Sequence, residues 1–209
     1  MSIIERIDDI IENNSLLKHK FYTMWSDGQL TIPMLSGYSK EYYQMVKAVP
    51  GLMERILPLG PHDDNLEQNM REEYDHIPLW REFAARLGVD AAELEEYEGL
   101  PKTQAAIDMM YGQTGSFHAG AAAMYALEKE IPRVSQTKLE GLQEFYGISD
   151  DIQYFAQHME ADIRHARDWS DILESADIND DVMIDAATKS VRAQNLLLDA
   201  CCEKYCNNN

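Results

Sequence analysis

Apolar residues recur at helical spacing along nearly the whole chain, and this periodicity constrains the fold more than any other feature. The segment YFAQHMEADIRHARDW, residues 154–169, is typical of an amphipathic helix. No run of alternating β-branched residues bounded by turn signals stands out. The sequence therefore predicts an all-α protein.

About eight helices account for this periodicity. We expect Pro50 to kink or end one helix, Pro78 to bend or break another, and Pro132 to bend the central helix. Residues 149–151 should cap the helix that carries residues 154–169. The predicted helices cover about 2–13, 15–27, 31–50, 63–87, 102–112, 116–147, a stretch that begins after residue 151, and a last stretch from residue 180 to the cysteines.

Length and composition fit one globular domain over residues 1–209, since 45% of the residues are apolar. Lys and Arg number 18 against 37 Asp and Glu, giving a net charge of −19. Such a surface should repel nucleic acids and anionic membranes. The chain has no long apolar stretch, and its N-terminus is acidic rather than signal-like. We therefore expect a cytoplasmic protein that binds neither nucleic acids nor membranes.

All three cysteines, Cys201, Cys202 and Cys206, crowd into the last nine residues. They cannot cross-link distant parts of the fold, so no disulfide framework is indicated. A redox-active tail and a soft-metal site are alternatives, but a frayed helix end is the expected interpretation.

Three polar residues form one stripe on the helix of residues 154–169. At about 100° per residue, His158, Asp162 and His165 point at roughly 0°, 40° and −20°. Phe155, Met159 and Ile163 lie near this stripe and suggest that it faces the interior, where unpaired polar groups are costly. A lone interior histidine is usually a hydrogen-bonded core group, but two histidines beside an aspartate favour a metal site.

Two other segments offer matching side chains. REEYDHIPLW places Glu72, Glu73 and His76 at helical spacing, and YALEKEIP carries Glu128 after a run of alanines. Taken alone, Glu73 and His76 are typical of a solvated helix face, and Glu128 of an ion-pair partner for Lys129.

Together the three segments supply three carboxylates and three imidazoles. This mixed oxygen and nitrogen set suits iron or manganese better than structural zinc or copper, and two divalent ions would balance its charge. Bundle di-metal sites use a similar arrangement on facing helices. The predicted ligands are Glu73, His76, Glu128, His158, Asp162 and His165.

These motifs resemble those of the haem-oxygenase-like di-iron oxidases, which share a helical bundle fold with the TenA and PqqC proteins. NMREEYDHIPLW is similar to that family's Glu and His-x-x-Leu-Trp segment, YALEKEIP to its Tyr-x-x-Glu-x-x-Ile-Pro, and residues 158–165 to its His-x-x-x-Asp-x-x-His. The resemblance spans most of the chain. It implies a single bundle of about seven to eight helices that holds two iron ions, or an iron–manganese pair.

Within that superfamily the chain is most similar to the CADD-like proteins, which make para-aminobenzoate for folate biosynthesis. Their FYxxW and KxEGLxxFYG patterns are seen here at residues 21–25 and 138–147. The resemblance implies that Tyr22 is sacrificed as the ring source and that Lys138 gives the amine. Tyr154 also matches a tyrosine of the family.

The chain departs from the family pattern at two places. The loop between the first glutamate and His76 is shortened, so the ligand is either Glu72 or Glu73, and the Glu-x-x-His spacing favours Glu73. Leu127 stands where the family would place another tyrosine, which puts a radical relay through that position in doubt.

The leading hypothesis is therefore a di-metal oxygenase that uses dioxygen and an external reductant on its own Tyr22 and Lys138. If Lys138 lies beside the metals, repulsion and desolvation should lower the pKa of its amine. One alternative is an oxidase for a free amino or fatty acid, including an N-oxygenase. Others are a metal-free TenA-like hydrolase or binding module, and a partner-binding helical protein. The architecture is compatible with a homodimer.

Overall fold

The computed structural model describes residues 1–206, which form ten α-helices and short connecting turns. The helices are α1 (Ile3–Asn13), α2 (Lys20–Ser26), α3 (Ile32–Ile56), α4 (Asp64–Arg86), α5 (Ala91–Glu96), α6 (Pro101–Tyr111), α7 (Phe117–Glu128), α8 (Ile131–Glu144), α9 (Gln153–Glu174) and α10 (Asp180–Cys201).

The all-α prediction is confirmed, with two more helices than the sequence suggests. The acidic segment after residue 90 forms α5, and Asp90 caps it by accepting a hydrogen bond from the amide of Glu93. Pro132 does not bend a continuous helix. It lies in the first turn of a separate helix, α8, where its missing amide hydrogen leaves no helical bond unmade.

Three local predictions differ from the structure. Pro50 does not end α3 and Pro78 does not break α4, because the buried faces of both helices hold them in place; the kink at Pro50 and the bend at Pro78 stay predictions. The helix predicted from residue 15 splits at His19, whose ring accepts a hydrogen bond from the amide of Phe21 and caps α2. Residues 149–151 do not cap α9, since its N-cap is Ile152, without a side-chain bond, and Asp151 adopts a φ of 58°.

Helix α7 lies at the centre of the bundle and packs against α9 and α10, while α8 packs against α2 and α9. From Gly120 to Glu128 every residue of α7 is buried. A Cβ atom at Gly120 would lie 2.5 Å from the side chain of Ile56, so glycine lets α7 approach α3 closely. This approach brings Glu128 into the interior of the bundle.

The three cysteines are buried, which corrects the expectation of a frayed end. A π-helical turn, Cys202–Cys206, continues α10 and packs against α2 and α3.

Among the described residues, no helix combines the length and the hydropathy needed to cross a lipid bilayer.

Candidate metal centre and its aromatic surroundings

Helices α4, α7 and α9 bring all six predicted ligand residues into the bundle interior. Glu73 and His76 come from α4, Glu128 comes from α7, and the stripe on α9 supplies the rest. Each residue is at most 6% exposed, although all six carry ionisable groups. Buried ionisable groups need partners or metal ions, so this concentration requires an explanation.

Five of these residues form two groups that share one carboxylate. In the first group, ligand atoms of Glu73, His76 and His158 lie within 4.8 Å of one another. In the second group, Glu73 is joined by Glu128 and His165 at the same spacing. Glu73 can therefore contribute to two neighbouring cation sites at once.

Asp162 lies beside the second group. One of its oxygens, Oδ1, is 3.6 Å from Nδ1 of His165. The same oxygen is fully buried and has no hydrogen-bond partner among the described residues. Asp162 is thus placed next to the two groups, and its role as a ligand stays a prediction.

Glu72 faces outwards, whereas Glu73 faces the interior. The Oε2 atom of Glu72 accepts hydrogen bonds from Nε2 of His165 at 2.9 Å and from Arg164 at 2.6 Å. Nδ1 of the same histidine points to Glu73, 3.4 Å from its Oε1. Of the two alternatives that the sequence left open, the geometry therefore favours Glu73 as the inner carboxylate.

Neighbouring groups orient two of the inner side chains. Nδ1 of His158 donates a hydrogen bond to the backbone oxygen of Tyr154 at 2.7 Å, which directs Nε2 away from its own helix. The indole of Trp169 donates to Oε1 of Glu128 at 3.3 Å, and Oε2 of Glu128 has no partner. Metal-binding side chains typically make such hydrogen bonds through the atoms that do not bind the metal.

Without metal ions, the cluster avoids excess negative charge only because burial keeps two of its carboxyl groups protonated. Burial raises the pKa of Glu128 to about 8, and burial together with nearby Glu73 raises the pKa of Asp162 well above its usual value. Burial lowers the pKa of His158 to about 3, so its ring is neutral at physiological pH. Burial also opposes charge on His165, but the adjacent carboxyl groups of Glu73 and Glu128 outweigh it and raise the pKa to about 9.

Divalent cations fit this donor set. Three atoms of the cluster are buried without a hydrogen-bond partner in the described part of the chain: Glu128 Oε2, Asp162 Oδ1 and His165 Nδ1. A bound cation would give each of these three atoms a partner that no other side chain supplies. Carboxylate and imidazole donors in this ratio suit iron and manganese.

The amine of Lys138 lies in an aromatic cage on the far side of Tyr42. Its Nζ atom is 4.4 Å from the ring centroid of Tyr42, 5.4 Å from that of Tyr22 and 5.5 Å from that of Tyr38. The residue is 1% exposed. Burial lowers the pKa of the amine to about 7, and Asp162 opposes this effect. The expected lowering of the pKa is present, and desolvation causes it.

The other two predicted catalytic residues differ in their distance from the cluster. Tyr154 stacks on His158, with ring centroids 4.0 Å apart. Tyr22 is buried behind Tyr38, and its hydroxyl lies 3.2 Å from that of Tyr38. The structure thus brings Tyr154 to the cluster and brings Tyr22 to Lys138.

A cavity of about 30 Å³ adjoins the cluster. Its polar side is formed by Glu73, Glu128, His158 and Asp162 with the phenols of Tyr42 and Tyr154. Its apolar side includes Leu127, which stands where the resemblance leads one to expect a tyrosine. The volume is enough for about two water-sized molecules.

Sequence analysis missed Tyr42, which touches both the cavity and Lys138. A signal was present, because Tyr38 and Tyr42 are four residues apart and share one face of α3. Burial and the charge of Asp162 raise the pKa of Tyr42, so it is a neutral phenol at physiological pH.

The comparisons with known proteins agree with this geometry. A model of the haem-oxygenase-type family described as iron-containing redox enzymes matches residues 38–196. A 4-aminobenzoate synthase of Chlamydia trachomatis serovar D is 38% identical over 188 residues, which cover 83% of this chain and 80% of the relative. The 4-aminobenzoate synthase of Nitrosomonas europaea is 31% identical, over 98% of this chain and 92% of the relative.

Solved structures confirm the predicted fold. A TenA homologue from Pseudomonas syringae pv. tomato superposes with a TM-score of 0.80 at 16% identity, covering 96% of this chain and 93% of that one. A TenA homologue from P. horikoshii gives a TM-score of 0.82 at 11% identity, covering 96% and 98%. Because the family model matches most of its length and relatives exceed 30% identity, the chain belongs to the haem-oxygenase-like family of iron-containing redox enzymes.

Proposed function

We propose that this chain is a 4-aminobenzoate synthase that makes the product from its own Tyr22 and Lys138. It would use two divalent metal ions, dioxygen and an external reductant. The observation that carries the proposal is the closed aromatic cage, in which the amine of Lys138 lies 5.4 Å from the ring of Tyr22. The relatives named 4-aminobenzoate synthase, at 31–38% identity, support the same product.

In this proposal two iron ions, or an iron and a manganese ion, would be held by two groups of side chains, and Glu73 would belong to both groups. His76 and His158 would complete one site, and Glu128 and His165 the other, with Asp162 beside the second. When bound, the metal pair supplies redox chemistry with dioxygen at open coordination positions. The protein holds these imidazole and carboxyl side chains in place before the metals arrive.

Lys138 would be the nitrogen donor. A pKa of about 7 leaves a substantial fraction of its amine unprotonated at physiological pH, whereas an exposed lysine is almost fully protonated. Only the unprotonated amine has a free electron pair for attack on an oxidised ring. The cage therefore both excludes water and keeps the nitrogen nucleophilic.

Tyr22 would be the carbon source. The product carries one carboxylate carbon on the ring, opposite the amino group, so the bond between Cα and Cβ of the tyrosine must break. Nitrogen from Lys138 must replace the ring hydroxyl, which leaves as water, and the bond between Cε and Nζ of the lysine must break, with Cε oxidised to an aldehyde. Dioxygen is the oxidant for the conversion of Cβ to a carboxylate carbon and for the oxidation of Cε. The chain would then be consumed in a single turnover, unless the lost groups are restored.

The size of the cavity argues against a free amino or fatty acid as substrate. Pockets for such molecules usually enclose about 300–1,000 Å³, at least about ten times the volume of the cavity that four of the ligand residues line. The larger pockets of about 440 and 380 Å³ reach the cluster only at His76 and at Asp162, respectively. A metal-free hydrolase is disfavoured for another reason. It would leave the buried oxygens of Glu128 and Asp162 without partners, at a cost of about 1–3 kcal/mol each.

Isotope labelling tests the proposal. Protein grown with ¹⁵N-lysine is loaded with iron, reduced and exposed to air, and the released aminobenzoate and the tryptic peptides are analysed by mass spectrometry. We expect ¹⁵N in the product, and mass changes at Tyr22 and Lys138. Lys138→Met should abolish the product, whereas Lys129→Met, at a half-exposed lysine, should not. Unlabelled product, or many products per chain with both residues intact, would overturn it.

A further inference from the structure

The proposed ring source does not adjoin the cavity beside the metal ligands. Among the described residues, the tyrosines that line this cavity are Tyr42 and Tyr154. Tyr22 lies behind them, fully buried, with its hydroxyl 3.2 Å from that of Tyr38. Oxidation that begins in the cavity must therefore cross at least one other side chain to reach Tyr22.

Tyr42 occupies the space between the two places. It lines the cavity together with Glu73 and Tyr154. Its ring is also the nearest to the amine of Lys138 among the five aromatic rings around that atom. One side chain thus contacts both the oxidising and the nitrogen-donating parts of the proposed site.

Short contacts lead from Tyr42 to Tyr22. The ring centroids of Tyr42 and Tyr38 are 5.5 Å apart, and the hydroxyls of Tyr38 and Tyr22 are in hydrogen-bonding contact. Each of these phenols can lose one electron and one proton, and the contact between the hydroxyls of Tyr38 and Tyr22 gives the proton a path between those two residues.

A second route is available through Trp80. Its ring lies 4.6 Å from that of Tyr154 and 6.0 Å from that of Tyr38. The indole hydrogen, however, is donated to the backbone oxygen of Ser39 at 2.8 Å, and the side chain does not line the cavity. The route through Tyr42 is favoured because its hydroxyl faces the cavity directly.

We propose that Tyr42 is the relay through which the reduction of dioxygen in the cavity oxidises Tyr22, an inference that rests on the proposed function. Tyr42 gives one electron and its phenolic proton to the cavity, where the reduction of dioxygen consumes both. It regains one electron and one proton from Tyr38, which takes them from Tyr22. The net change is the loss of one electron and one proton from Tyr22.

The test compares Tyr42→Phe with Tyr43→Phe. The phenylalanine at residue 42 keeps the aromatic ring against Lys138 but removes the oxidisable hydroxyl. Tyr43 is the matched control, because it is the next residue of the same helix. Its hydroxyl contacts Glu95 and Arg81 instead. Metal content, dioxygen uptake and the masses of the peptides with Tyr22 and Lys138 are measured for each iron-loaded variant.

We expect Tyr42→Phe to bind as much metal as the wild type and to consume dioxygen, while Tyr22 and Lys138 stay intact. Tyr43→Phe should modify both residues as the wild type does. A merely structural role for Tyr42 would instead lower metal content and dioxygen uptake together, which would overturn the relay. So would modification of Tyr22 at the wild-type rate in Tyr42→Phe. If the wild-type chain leaves Tyr22 intact, the proposed function fails, and the relay fails with it.

Discussion

The Nδ1 atom of His165 lies 3.4 Å from Oε1 of Glu73, and this contact joins α9 to α4 inside the bundle. The other oxygen of Glu73 lies 3.4 Å from Nδ1 of His76. One carboxylate therefore faces both groups of candidate ligands. Burial raises its pKa, but hydrogen bonds to the two histidines outweigh this and lower it.

The shared position of Glu73 predicts that its loss empties both metal sites. Glu73→Gln keeps the shape but removes the charge, and we expect both ions to bind at least about 100-fold more weakly, since removing a mere hydrogen-bonding partner of a ligand costs about 10–100-fold. Glu72→Gln is the control: it removes only a partner of His165, so it should weaken binding by at most about 10–100-fold, and at one site only. Elemental analysis and metal titration measure both. Full metal content in Glu73→Gln would contradict the shared role.

Replacing the buried carboxyl group of Asp162 should stabilise the metal-free protein but weaken metal binding. Its pKa is raised in the folded protein, so stability without metal should fall as pH rises from about 4. Asp162→Asn removes that cost, and we expect the metal-free variant to be about 1–3 kcal/mol more stable than the wild type at pH 8. Its gain in melting temperature on adding iron should be smaller.

Chemical denaturation with and without iron tests this expectation. Asp171→Asn, at an exposed residue of the same helix, should change neither quantity. A metal-free Asp162→Asn variant that is less stable than the wild type would show that the carboxylate is satisfied by the protein itself.

Burial of the Lys138 amine should lower the free energy of unfolding by an amount that depends on pH. Because its pKa falls from 10.5 to about 7 on folding, the unfolded chain binds more protons between these values, and stability rises with pH there. Lys138→Met should therefore be more stable than the wild type below pH 7, by on the order of 5 kcal/mol at about 1.4 kcal/mol per pKa unit. The difference should shrink towards pH 10.

Urea denaturation of both proteins at pH 6, 8 and 10 measures this difference. Lys129→Met, which removes a half-exposed amine, is the matched control and should show little change with pH. A gap between Lys138→Met and the wild type that is constant over this range would mean that the amine is not desolvated.

The sequence specified the ligand types but not their surroundings. Helical spacing placed His158, Asp162 and His165 on one face, because a stripe depends only on helix geometry. It could not separate Glu72 from Glu73, since both lie within one helical turn of His76. Only the packing of α4 against α9 shows which of the two points inwards.

Burial of charged residues was the least predictable feature. Nothing in the spacing around Lys138 indicates that α8 turns this side chain towards α2 and α9. Proline rules failed for a related reason: Pro78 costs α4 a hydrogen bond, but the helix buries Glu73, His76 and Trp80 against its neighbours and continues. Tertiary contacts outweigh local preference at these positions.

Helices α8 and α2 are in close contact at Gly141, which lies against Trp25. A Cβ atom at Gly141 would lie 2.6 Å from the indole of Trp25, which donates a hydrogen bond to the backbone oxygen of Lys138. Gly141→Ala should destabilise the protein by about 1–3 kcal/mol, although alanine is the better helix former. It should also slow the modification of Lys138.

Gly115→Ala is the control, because a Cβ atom there meets no atom within 4 Å. We expect its free energy of unfolding to stay within about 0.5 kcal/mol of the wild type. Equal stabilities of the two variants would show that α2 and α8 are not in close contact.

Anomalous diffraction at the iron and manganese absorption edges, on crystals of the metal-loaded chain, tests the central claim most directly. The account predicts two peaks, one surrounded by Glu73, His76 and His158 and the other by Glu73, Glu128 and His165. A single peak away from Glu73, or no peak within the cluster in fully loaded protein, would contradict it.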